Sequence, residues 1–136
     1  MHPMLIHFPV AALLGLVGTD AAYIVTSDPF WSRAGLWLAG VGAAGGWFAS
    51  IAGLIDLLSV QRIRRLVTAW VHALIAVMML SIASLNWSLR WGKDAGAAID
   101  PWGAAMTLFT AGFIGIAAYL GGRLVYEKAV AVDTDA

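Results

Sequence analysis

The sequence predicts an all-α integral membrane protein, an up-down-up-down four-helix bundle, and three observations carry that expectation. Of the 136 residues, 61% are hydrophobic and only 12% charged, whereas soluble domains carry roughly a quarter charged residues. The mean hydropathy is +0.83. Residues 4–25, 33–58, 66–89 and 101–126 each reach the length and apolar character of a membrane-crossing helix, which needs about 20 residues. Backbone groups in lipid must be paired within their own segment, so these stretches are helices and not strands. The short connections turn each helix back antiparallel to the one before it. The whole chain, 1–136, reads as one membrane domain.

The first span opens at His2-Pro3 and Ile6-His7-Phe8-Pro9 and ends where Thr26-Ser27-Asp28-Pro29 breaks the helix. The N-terminus lacks the basic region and small-residue cleavage site of a signal peptide, so this segment is expected to remain as a span. On the second span Gly42, Gly46, Ala49, Gly53 and Asp56 recur at alternating spacings of four and three. That is one continuous helix face, small enough for close packing or for a flat ligand. The arginines Arg62, Arg64 and Arg65 follow in the second connection. The third span carries His72, Met79 and Asn86 on one face. The third connection holds Arg90, Lys93 and Asp94 and closes on Asp100-Pro101, with Asp100 expected as N-cap and Pro101 at the first helical position. On the fourth span Gly112, Gly115, Tyr119, Gly122 and Tyr126 form a second small-residue face. The tail from Val130 to Ala136 is polar.

Composition also excludes. Net charge is zero and no basic run exists, which argues against nucleic acid. There is no cysteine, hence no disulfide, thiolate metal site, iron–sulfur cluster or covalent c-type haem. Three histidines are too few for a pair of bis-histidine haems. No phosphate loop, catalytic triad or zinc-protease motif is present, and no acidic ring of a channel filter. Counting cations near the span ends places Arg62, Arg64, Arg65, Arg123 and Lys128 on one side against Arg33, Arg90 and Lys93 on the other. The positive-inside rule then puts both termini in the cytoplasm. Trp31, Trp87, Trp91 and Trp102 belong to the outer aromatic belt and Trp70 to the inner one.

Ionisable groups within a span are costly and need a reason. His7, Asp56 and His72 fall within about two turns of the same interface, with His7 and His72 on diagonal helices. Facing imidazoles suit axial ligation of a b-type haem passing electrons to a quinone or a partner protein. Gly53 and Gly122 would then leave room for the macrocycle, and Asp56 and Tyr126 would stand behind the ligands. The alternatives are a copper, zinc or iron ion held by His2, His7 and His72, or a cofactor-free accessory subunit of a larger membrane complex whose histidines are structural. His2 and His7 lie about 140° apart on a regular helix, so both converge only if Pro3 and Pro9 distort the first turn. Asp56 can pair with Arg123 or orient a ligating histidine. Asp20 and Asn86, nearer the outer face, form a second polar station whose expected role is structural hydrogen bonding. A hydrolase or transferase is not expected, because no nucleophile–base arrangement is visible.

His2-Pro3 with Ile6-His7-Phe8-Pro9, then Asp20, Gly53-Leu54-Ile55-Asp56, His72, Asn86 and Leu120-Gly121-Gly122-Arg123-Leu124-Val125-Tyr126 together resemble the domain-of-unknown-function 2231 family of small bacterial four-helix membrane proteins. The resemblance covers nearly the whole chain. It implies the four-helix membrane fold and, through the Rieske and cytochrome c modules found with such proteins, an association with electron transfer. It implies no settled activity.

Overall fold

The computed structural model describes residues 2–92, 94–128 and 130, with side chains from residue 5 onward. Among the described residues every regular element is helical. Helix α1 spans His2–Thr26, α2 Pro29–Ser59, the one-turn α3 Gln61–Arg64, α4 Val67–Arg90 and α5 Ala104–Tyr126. A wide turn, Ile99–Gly103, leads into α5. Four of these segments, Leu5–Thr26, Pro29–Ser59, Val67–Arg90 and Ile99–Tyr126, are long and apolar enough to cross a membrane. The protein is therefore an all-α bundle with four candidate spans.

Local chemistry explains the boundaries. Ser27 takes a left-handed backbone (φ 55°) and Asp28 is extended, so the chain reverses within two residues. The Asp28 carboxylate accepts the Phe30 N–H at 2.8 Å and caps α2. Pro29 stands in its first turn, which is why α2 starts earlier than hydropathy alone suggests. Val60 leaves the helical region and separates α2 from α3. The expected cap at Asp100 is not made. Asp100 is extended (φ −103°, ψ 125°), the Asp100–Pro101 peptide is cis, and α5 begins without a side-chain cap bond.

Helix α1 packs against α2 and α5, and α4 packs against the same two, so α1 and α4 are the diagonal pair. The tightest contacts follow the small-residue face of α2. Gly42 receives Leu13 of α1, Gly46 receives Leu80 of α4, and the indole of Trp87 lies over Gly40. Leu13, Ala43, Met79, Leu80, Ala83 and Ile114 close the central core around them. A smaller cluster, Leu57, Ala69 and Leu124, sits at the α3 end.

Two expectations change here. Gly112, Gly115 and Tyr119 face away from the bundle, with open space beside both glycines. Helix α5 packs instead through Thr107, Thr110, Ile114 and Leu124, whose branched side chains fill the gap to its neighbours. Trp87 is a packing residue, half-buried on Gly40 and edge-to-face with Trp91 at 5.5 Å. Trp91 and Trp102 remain exposed at that bundle end, and Trp70 at the other.

These contacts make the glycines unequal. A Cβ at position 40 would lie 2.7 Å from the rigid Trp87 indole, whereas one at position 18 would meet nothing within 4 Å. Gly40→Ala should lower stability in detergent by about 1–3 kcal/mol through overpacking. Gly18→Ala should raise it by about 0.5–1 kcal/mol, because alanine orders a helix at lower entropic cost. Unfolding of the two variants in mixed micelles, measured side by side by circular dichroism, checks both signs.

Candidate functional site

Among the described residues, two polar centres of opposite character stand out. The first is closed. Arg90, the last residue of α4, is fully buried, and its guanidinium meets the buried Asp20 carboxylate side on. Nη1 donates to Oδ1 at 2.6 Å and Nη2 to Oδ2 at 2.7 Å, the bidentate geometry that makes such pairs strong. Nε donates to Asn86 Oδ1 at 2.9 Å. The Asn86 amide in turn donates to Thr107 Oγ1 at 2.9 Å and to the Gly103 carbonyl at 3.2 Å. The single Thr107 hydroxyl proton has two acceptors in reach. Asp20 Oδ2 at 2.7 Å is nearer and charged, and Gly103 O lies at 3.0 Å.

Glycines make the enclosure possible. A Cβ on Gly35 of α2 would stand 3.0 Å from Arg90 Nη1, and one on Gly103 would collide with the Ala98 carbonyl. Among the described residues no buried side-chain nitrogen or oxygen lacks a partner. A saturated, walled-in network has no capacity left for a ligand. It is a structural tie between α1, α4 and α5, as the sequence suggests for Asp20 and Asn86. Sequence reasoning missed Arg90 and Thr107. The available signal was the spacing of four between Asn86 and Arg90, which puts both on one helix face.

The second centre is open. Helices α2, α4 and α5 line a half-open cavity of about 270 Å³ near the α3 end. Its wall is mainly apolar, built from residues such as Leu57, Ala73 and Leu124, and is interrupted by His72, Asp56 and Ser50. The His72 ring packs against Gly121, and its Nδ1 lies 3.1 Å from the Ala117 carbonyl. A carbonyl only accepts, so this bond places the proton on Nδ1 and makes Nε2 of the neutral ring an acceptor. Asp56, on the facing helix, is half-buried, and its carboxylate has no hydrogen bond or ion pair among the described residues.

The cavity gathers three of the residues singled out from sequence: His72, Asp56 and Gly53. It does not gather the others. His7 is exposed on α1 and does not line it. A Cβ on Gly122 would meet nothing within 4 Å, and its neighbour Gly121 takes the place beside His72. Tyr126 is 90% exposed and stands away from the cavity. The side chain of His2 lies outside the described residues. Arg123 does not pair with Asp56; its guanidinium engages Glu127 one turn on, at 2.9 Å. That hydrogen bond holds the exposed Glu127 carboxyl below its ordinary value. Among the described residues, no three His, Asp or Glu side chains converge as a metal site.

Compared with known families, residues 1–134 match the family described as Predicted membrane protein (DUF2231). Searches of curated proteins and of solved structures return no match.

The closed network makes a stability prediction. Arg90→Ala strands the Asp20 carboxylate in the bundle and should cost about 3–5 kcal/mol, the penalty for removing one partner of a buried pair. Arg90→Lys should fall between, because an ammonium cannot reproduce the fork to Asp20 and Asn86. Replacing both partners, Asp20→Leu with Arg90→Met, should recover much of the loss. Denaturation in micelles of the single and double variants measures the coupling.

Proposed function

The chain belongs to the DUF2231 family of predicted membrane proteins, and from that premise we propose that it binds a small, mainly apolar ligand in the cavity between α2, α4 and α5. The observation that carries this reading is the composition of the wall. An otherwise apolar enclosure holds a carboxylate and an imidazole, and such pockets take ligands that are apolar with a few directed polar groups. As a carboxylate, Asp56 only accepts hydrogen bonds, so this apolar wall asks for a ligand that is mainly apolar and donates. A hydroxyl-bearing aromatic ring answers both demands, and in a bilayer the abundant compound of that class is a quinol.

Size supports the same choice. At about 270 Å³ the cavity lies just under the roughly 300–1,000 Å³ of typical ligand sites, room for one substituted ring. A b-type haem, or a copper, zinc or iron ion, would use the same His72. The exposed His7 does not line the cavity wall, so the single-imidazole reading is the better supported one. Electron transfer through a redox partner protein, or docking on a larger membrane complex, extends this reading without altering the site.

The closed network also bears on orientation. Arg90 is neutralised inside the bundle by Asp20, so it no longer counts as an interfacial charge. Five cations, Arg62, Arg64, Arg65, Arg123 and Lys128, then stand against Arg33 and Lys93. This supports both termini on the cytoplasmic side of a bacterial inner membrane.

Protein purified in mild detergent should carry an extractable quinone at near-equimolar ratio. Asp56→Asn and His72→Ala should each reduce added-quinol affinity about tenfold or more, the size of a hydrogen bond involving a charged group. A Soret band that shifts on reduction and disappears in His72→Ala would instead establish haem, and stoichiometric copper, zinc or iron would establish the metal site. Topology is separately testable, because the chain has no cysteine of its own. A cysteine at exposed Ala97 should react with impermeant maleimide in intact cells. One at exposed Gln61 should react only after permeabilisation.

A further inference from the structure

The α3 end of the bundle carries a fixed cluster of cations that neither polar centre uses. Three arginines, Arg62, Arg64 and Arg65, fall within four residues, all exposed. The one-turn helix that bears most of them cannot roll. Its single inward residue, Ile63, packs on the Leu57, Ala69 and Leu124 cluster. The Arg64 N–H is bonded to the Val60 carbonyl and the Leu66 N–H to that of Ile63, each close to 3 Å (3.0 and 2.9 Å). Two guanidiniums are also tethered. Arg62 Nη2 donates to the Lys128 carbonyl at 2.7 Å and Arg64 Nη1 to the Leu58 carbonyl at 3.3 Å.

These are bonds to neutral backbone oxygens, so they hold the side chains without cancelling charge. Among the described residues no carboxylate lies within ion-pair distance of the three arginines. The remaining N–H groups of each guanidinium stay available to an anion of forked geometry. The membrane level is marked on the same segment. Leu58, Val60 and Val67 are exposed apolar side chains flanking the cluster, and the Trp70 indole donates to the Arg64 carbonyl at 2.9 Å. Cations held where apolar surface gives way to an interfacial tryptophan stand at the depth of lipid phosphates.

We propose that Arg62, Arg64 and Arg65 form a binding site for the phosphate headgroup of an anionic phospholipid. The site is independent of the cavity ligand: it requires only that the bundle sits in a bilayer. Each cation near an anionic surface contributes by a modest increment that adds with its neighbours, so selectivity should depend on how many arginines remain.

The full-length protein, released from micelles doped equally with phosphatidylglycerol and phosphatidylcholine, tests this by native mass spectrometry. The expected result is retention of phosphatidylglycerol over phosphatidylcholine by about tenfold, lost when Arg62, Arg64 and Arg65 are all changed to Gln and kept in Arg33→Gln at the opposite end. Should the triple variant fail to fold, Arg65→Gln, which removes a side chain with no bond to the backbone among the described residues, should still lower the preference measurably. Millimolar inorganic phosphate should leave retention unchanged. Equal retention of the two lipids, equal loss in Arg33→Gln, or displacement by inorganic phosphate would overturn the proposal.

Discussion

The constraint on which the bundle depends is the burial of one ion pair in a low-dielectric interior. Asp20 and Arg90 belong to α1 and α4, the diagonal helices, which otherwise meet mainly through their common neighbours. A charge in that position is expensive to leave unpaired, so the pair fixes how far α1 and α4 slide relative to each other. Everything around it follows that register. Thr107 must present its hydroxyl at the start of α5, Asn86 must sit one turn before Arg90, and Gly35 and Gly103 must lack side chains for the guanidinium to fit. A bundle in lipid gains little from burying apolar surface between helices. Directed polar contacts and close packing therefore specify more of its geometry than they would in water.

Close packing supplies the second constraint, and it is unevenly distributed. Along the middle of α2, Gly40, Gly42 and Gly46 admit Trp87, Leu13 and Leu80, giving contacts that a single methyl group would disturb. Toward the α3 end this pattern gives way to Gly53 and Asp56, and there α2, α4 and α5 leave a cavity between them. The bundle is thus closed and saturated at one end and open at the other. The open end holds the Asp56 carboxylate and the His72 imidazole.

Much of this was legible in the sequence, because hydropathy and length report directly on the solvent a helix must face. The four spans, the diagonal placement of the first and third, the small-residue face of α2 and the structural character of Asp20 with Asn86 all rest on such signals. What the sequence hid was side-chain direction and reach. Arg90 reads as a loop charge because it stands at the end of a span, yet its long side chain turns back into the core. His7 and His72 share a level, but depth says nothing of azimuth, and the His7 side chain is exposed. The glycine face of α5 has the same spacing as that of α2 and points the other way. Periodicity identifies a face without saying what the face meets. Arg123 had two carboxylates within sequence reach, and the local one, Glu127, won because an i,i+4 pair needs no tertiary alignment.

The two intramembrane carboxylates, Asp20 and Asp56, make the strongest argument about where function lies. Both sit on helices that face lipid, yet they are treated in opposite ways. Asp20 receives a bidentate guanidinium and a hydroxyl and is sealed from every exchange. Asp56 is half-buried in the wall of a cavity opposite an imidazole already held in one tautomer by a backbone carbonyl. If Asp56 served packing alone, the Arg123 guanidinium on α5 would be the natural group to neutralise it, as Arg90 neutralises Asp20. The fold instead sends Arg123 outward to Glu127 and leaves the cavity carboxylate facing its open volume. A polar group kept at a site that the structure could have sealed is most simply explained by a partner that comes and goes. The acceptor character of the Asp56 carboxylate defines what that partner must bring.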